Sequence, residues 1–183
     1  AGLEEVNNIK FDFILASSRL SDEGFNPNND LMFVEPGIYK VKENILNGIN
    51  IPHDRSGGRR FGMSTVWIWK QNNFKIVHMG GAAGEININQ SILLSRPDIL
   101  FISIGGGIKS YNGFEAAEIV KTLQPKIIIP VQFLSDKNKV VNCDLSDENL
   151  FLKEISNYKV KYVGKTFSVN QNSLNEKTIY IFK

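Results

Sequence analysis

The apolar pattern divides the chain into a first half of short strands and a second half in which strands alternate with helices. Residues 11–16 read as a strand built on Phe11, Phe13, Ile14 and Leu15, and the Asn-, Pro- and Asp-rich stretch 21–30 behind it reads as a loop. A short strand at 32–34 stops at Pro36-Gly37. Residues 37–41 and 45–52 are expected to pair, with Asn47-Gly48 as the turn region. After a loop at 53–62, strands at 64–69 and 74–78 flank the polar turn 70–73 and predict a β-hairpin.

In the second half the pattern predicts a short helix over 86–94, a near-continuous apolar strand over 98–104 and a helix over 112–123. Asn112 is placed to cap that helix with Glu115 three residues on, while Ala116, Ile119, Val120 and Leu123 fall on one face. Pro125 ends it. A buried strand follows at 126–131, then a loop, a helix over 146–155, and strands at 159–169 and 178–182. Strands 98–104 and 126–131 are so uniformly apolar that both faces need cover, which makes them neighbours in the sheet centre. With no repeat or linker, residues 1–183 are expected to form a single domain.

Composition narrows the chemistry. A hydrophobic fraction of 42% with 22% charged residues is that of a globular protein, and no apolar run approaches a membrane span. A formal charge of +2 gives no basic face for nucleic acid. The single cysteine, Cys143, admits no internal disulfide, so the expected location is the cytoplasm. His53 and His78 are the only two histidines, which excludes a histidine-rich metal cluster.

Three segments can carry chemistry. Gly105-Gly106-Gly107-Ile108-Lys109-Ser110 follows a buried strand, but Ile108 stands where a phosphate loop needs glycine and the helix cap comes only at Asn112, so the glycines read as a tight turn. The loop His53 to Gly62 carries Arg55, Arg59 and Arg60, whose guanidinium forks suit carboxylate or phosphate, against the plainer reading of a solvated charged loop. The third, His78-Met79-Gly80-Gly81-Ala82-Ala83-Gly84, puts small residues after a strand, where backbone or ligand can approach closely.

In order along the chain, Phe13-Ile14-Leu15-Ala16, Val34-Glu35-Pro36-Gly37, Ile51-Pro52-His53-Asp54, Thr65-Val66-Trp67-Ile68, Ile76-Val77-His78-Met79-Gly80, residues 98–106 and residues 125–130 resemble the UlaG-like branch of the metallo-β-lactamase superfamily. The Arg59-Arg60-Phe61-Gly62-Met63 loop and the Gly80-Gly81-Ala82-Ala83 turn are similar to a cyanobacterial and plastid subgroup of that branch. The resemblance implies an αββα sandwich, with mixed sheets face to face and helices outside, and hydrolysis of ester, amide or phosphodiester bonds with zinc, manganese or iron. The family's N-terminal strands precede its first metal motif, whereas this chain starts almost at that motif. An N-terminally incomplete sandwich is therefore expected, self-associating through an uncovered sheet edge or face.

The match also implies which metal positions are altered. Ser18, Leu20, Asp22 and Glu23 stand at the four polar positions of the first metal motif, His53 at the next ligand, Gly81 at the bridging aspartate and Gln132 at the final histidine. Asp22 and His53 are then the candidate catalytic residues. His53, Asp22 and Glu23 are the candidate ligands of at most one weakly bound divalent ion (zinc, manganese or iron), and Arg55, Arg59 and Arg60 the candidate substrate anchors. The expected function is that of a hydrolase-like protein with a degenerate metal site. Its alternative is a non-catalytic module binding an anionic small molecule or a protein partner.

Overall fold

The computed structural model describes residues 12–20, 32–135 and 143–182. Among them, two strands of two residues each, β1 (Ile14–Leu15) and β2 (Met32–Phe33), pair in parallel. The other eight strands form one mixed sheet: β3 (Gly37–Val41), β4 (Asn44–Pro52), β5 (Met63–Gln71), β6 (Phe74–His78), β7 (Ile99–Ser103), β8 (Ile127–Val131), β9 (Lys159–Val163) and β10 (Thr178–Phe182). The strand order is β3-β4-β5-β6-β7-β8-β10-β9, antiparallel from β3 to β6 and parallel from β6 onward. Helices α1 (Ile88–Leu94), α2 (Gly113–Leu123) and α3 (Asn149–Glu154) complete the fold.

Side-chain parity assigns the two faces of the sheet. Val66, Val77, Leu100, Ile102, Ile128, Ile179 and Ile181 point to the helix side and pack with Ala116, Val120, Leu123 and Phe151 in one core cluster. Phe74, Ile76, Ile99, Ile127, Ile129 and Tyr180 point to the opposite side. There the stretch after β9 supplies the cover, with Phe167 stacked on Tyr180 at 4.3 Å and Leu174 packed beside it. The β1–β2 pair covers the other end of this face: the Trp67 indole donates to the Ala16 carbonyl at 2.8 Å, and Phe33, Tyr39 and Trp67 form a chain of ring contacts. The fold is therefore a mixed α/β architecture with helices outside a large sheet. Among the described residues its second sheet is reduced to β1 and β2.

Strands 98–104 and 126–131 are confirmed as neighbours in parallel register, Ile99 opposite Ile127, and α2 connects them with the Asn112–Glu115 capping box in place. Several boundaries differ from the sequence reading. Asn47 and Gly48 lie inside β4, and the hairpin turns instead at Lys42-Glu43, where Lys42 has φ 55°. Gly48 is required by packing: a Cβ there would meet Thr65 Cγ2 and Trp67 Cζ3 at 2.9 Å each. The β5–β6 turn is only Asn72-Asn73, both at positive φ, so the strands run further into 70–73 than expected. The expected strand 159–169 stops at Val163, and a 3₁₀ helix (Gln171–Asn175) follows. The strand expected at residues 11–16 is described only as Ile14–Leu15. No helix among the described residues is long and apolar enough to cross a membrane.

Candidate functional site

Because β4, β6, β7 and β8 run in the same direction, the segments leaving them emerge at one edge of the sheet. Those segments carry His53, Gly81, the glycines at 105–107 and Gln132. The stretch after β1 joins them through the Thr65 amide, which donates to the Ser17 carbonyl at 2.7 Å. The fold thus gathers most of the family's metal-facing positions at one place.

His53 is fully buried there. Its Nδ1 is in hydrogen-bond contact with the Gly81 carbonyl, and since a carbonyl only accepts, this geometry assigns the proton to Nδ1. The ring lies edge-on to Phe61 at 6.4 Å. A Cβ placed on Gly81 would stand 2.2 Å from His53 Cε1, so the imidazole occupies the space into which any side chain at position 81 would project. Gly80 is equally confined, because its Cβ would meet Ser17 Cβ at 2.4 Å. Beside it the Ser64 hydroxyl is buried without a hydrogen-bond partner. Ser18 is buried and its hydroxyl accepts from the Leu20 amide at 3.2 Å. Gln132 is exposed, and its backbone, at φ 51°, accepts from the Gly105 amide through its carbonyl. Asp22 and Glu23 lie outside the described residues.

The described part of this donor set does not by itself make up a transition-metal site. Among the described residues no three of His, Cys, Asp or Glu stand together; glycine offers no side-chain donor, and serine and glutamine are weak neutral ligands.

The loop beyond His53 is ordered by Asp54. Its carboxylate accepts from the Ser56 amide and hydroxyl and from the amides of Gly58, Arg60 and Phe61, at 2.5–3.0 Å. The Ser56 hydroxyl first, then the backbone amides, hold the carboxyl well below the usual carboxylate range. Asp54 is therefore a loop organiser, a role that its place beside the only buried-loop histidine did not signal.

The three arginines divide. Arg55 donates to both Glu115 carboxylate oxygens (2.6 and 2.7 Å) and to the carbonyls of Gly107 and Ser110, which ties the loop to α2. Arg59 and Arg60 are exposed. The Arg60 guanidinium sits 5.0 Å from the Phe61 ring centre and the Lys109 ammonium 5.7 Å from it. A hollow of about 310 Å³ is lined there by Asp54, Arg55, Ser56, Arg60, Phe61 and Ile108. Sequence reasoning missed Lys109 as a partner of this loop, because the two segments meet only in the fold.

Fold and strand-edge geometry define the class, a metallo-β-lactamase-type protein. The chain belongs to the β-lactamase superfamily domain family, whose model matches residues 3–132. Among solved structures it is similar to a protein of Thermotoga maritima assigned as a Zn-dependent hydrolase of the metallo-β-lactamase superfamily, at 20% identity and a TM-score of 0.73, covering 93% of this chain and 81% of that one. A metal-dependent hydrolase of Parabacteroides distasonis gives 12% identity and a TM-score of 0.57 over 81% and 73% of the two chains. A metallo hydrolase of Ignicoccus hospitalis gives 14% and 0.53 over 70% and 66%. At these identities the likeness establishes the fold. No curated protein sequence matches the chain.

Proposed function

We propose that this chain is a hydrolase-like member of the superfamily, of its UlaG-like branch, whose metal site is degenerate and supports no two-metal hydrolysis. One observation carries the reading: the ring of His53 fills the space that an aspartate at position 81 would need. A bridging carboxylate and this histidine position are incompatible. Activation of water at neutral pH needs a cation held by three or more good ligands with one position open. Of the candidate ligands, His53 is the one the described residues supply at that edge, so residual activity would rest on a single ion held by His53 with Asp22 or Glu23. The test is a panel of ester, amide and phosphodiester substrates with zinc, manganese or iron added. The expected result is that any turnover saturates with one ion per chain and is lost in the His53→Ala variant; turnover that requires two ions per chain would overturn the reading.

The second reading, a module that binds an anion without hydrolysing it, is favoured by Arg60 and Lys109 flanking Phe61 beside the hollow. Arg59 and Arg60 are its candidate anchors. Arg55 contributes indirectly, by holding the loop against α2.

A further inference from the structure

A second cavity, of about 620 Å³, lies on the helix side of the same edge. The turn Ala83-Gly84 forms part of its wall: both amides donate to the Pro52 carbonyl at 3.0 Å, and the Tyr111 hydroxyl donates to the Gly84 carbonyl at 2.5 Å. Its walls are Pro52, Ala83, Tyr111, Ile119 and the ring of Phe114, which is 52% exposed. The volume and apolar lining are those of a small-molecule site.

Charge decides what such a ligand carries. Among the described residues Arg55 is the only basic one lining the cavity, and its fork is taken by Glu115, Gly107 and Ser110. Glu115 in turn is spent on Arg55 and on the amide of Asn112. That pair cancels. Glu118 shares its charge with Lys121 at 2.7 Å. Glu85 stands exposed at the rim with no hydrogen bond or ion pair to any described residue. The balance is negative, with one uncommitted carboxylate beside an exposed aromatic ring.

We infer that this cavity binds an organic cation with an apolar body, an ammonium or guanidinium group at Glu85 and the apolar part against Phe114 and Ile119. An aromatic face and a carboxylate both favour such a group, whereas for an anion the lining donors Arg55 and Tyr111 are already engaged. The inference is independent of the reading at His53, because His53 does not line this cavity and none of the residues invoked is a candidate metal ligand.

The experiment titrates the full chain with 2-phenylethylamine, 2-phenylethanol and phenylacetate, one aromatic stem with three head groups, and follows backbone amide shifts. The amine should give saturable shifts at Glu85, Phe114 and Ile119 and bind roughly fivefold more tightly than the alcohol, the scale of one exposed charge pair. The carboxylate should bind least. Glu85→Gln should erase the amine's advantage over the alcohol, and Phe114→Ala should weaken both. Both positions are exposed, so neither variant threatens the core. Absence of saturable shifts, an alcohol or carboxylate that matches the amine, or a Glu85→Gln variant that keeps the preference would overturn the inference.

Discussion

At His78 a single half-buried imidazole links the site's turn to the stability of the whole chain. Its ring stacks on Phe101 at 5.4 Å and its Nδ1 accepts from the Gly80 amide at 3.0 Å, so it packs as a neutral side chain. Burial lowers its pKa from 6.5 to about 4. The unfolded chain therefore takes up a proton that the folded chain refuses throughout that window. Stability is fully present above pH 6.5 and falls as the pH drops towards 4, by about 3 kcal/mol in all. Denaturant unfolding of the wild type and of His78→Gln at several pH values between 7 and 4.5 isolates this group. The wild type should lose stability more steeply than the variant, and parallel slopes would refute the assignment.

Other residues differ in how far the sequence disclosed them. Position 81 as a glycine was readable, and so was the loss of a donor there. That His53 fills the vacated space was not, because it depends on two loops meeting at the sheet edge. The part played by Asp54 was hidden for a related reason. Its five hydrogen bonds need the backbone to curl around one carboxylate, with Gly57, Gly58 and Gly62 at φ 75°, 81° and 77°, and no spacing rule encodes that path.

Among the elements, α2 was the most legible. Its start, its end and its buried face all follow from Asn112, Glu115, Pro125 and the apolar spacing. The β3–β4 turn was the least legible, because Asn47-Gly48 has the composition of a tight turn while Gly48 serves instead to admit Thr65 and Trp67. Nor did the sequence disclose that Glu115 works twice, bonding the Asn112 amide and clamping Arg55. Glu115→Ala should therefore loosen the 55–61 loop as well as the helix start, at a total of about 1–2 kcal/mol, whereas Asn112→Ala should cost about 1 kcal/mol and leave Arg55 held. Exchange of the Arg55 Nε proton separates the two: fast in Glu115→Ala, slow in Asn112→Ala. Equal protection in both variants would mean that the clamp does not set the loop.

For the molecule as a whole, the sheet fixes where chemistry can occur and the side chains delivered there decide which. Strand direction brings the segments after β4, β6, β7 and β8 to one edge. Among the described residues, that edge presents a buried imidazole bonded to a carbonyl, two glycines, serine hydroxyls and an exposed glutamine, and on the proposed reading most of a metal's coordination sphere would be left to water. The most direct test is the zinc, manganese and iron content of the full chain, purified without chelators and measured before and after dialysis. The account predicts well under one ion per chain after dialysis, with any loosely held ion absent from His53→Ala. Two ions retained per chain would contradict it.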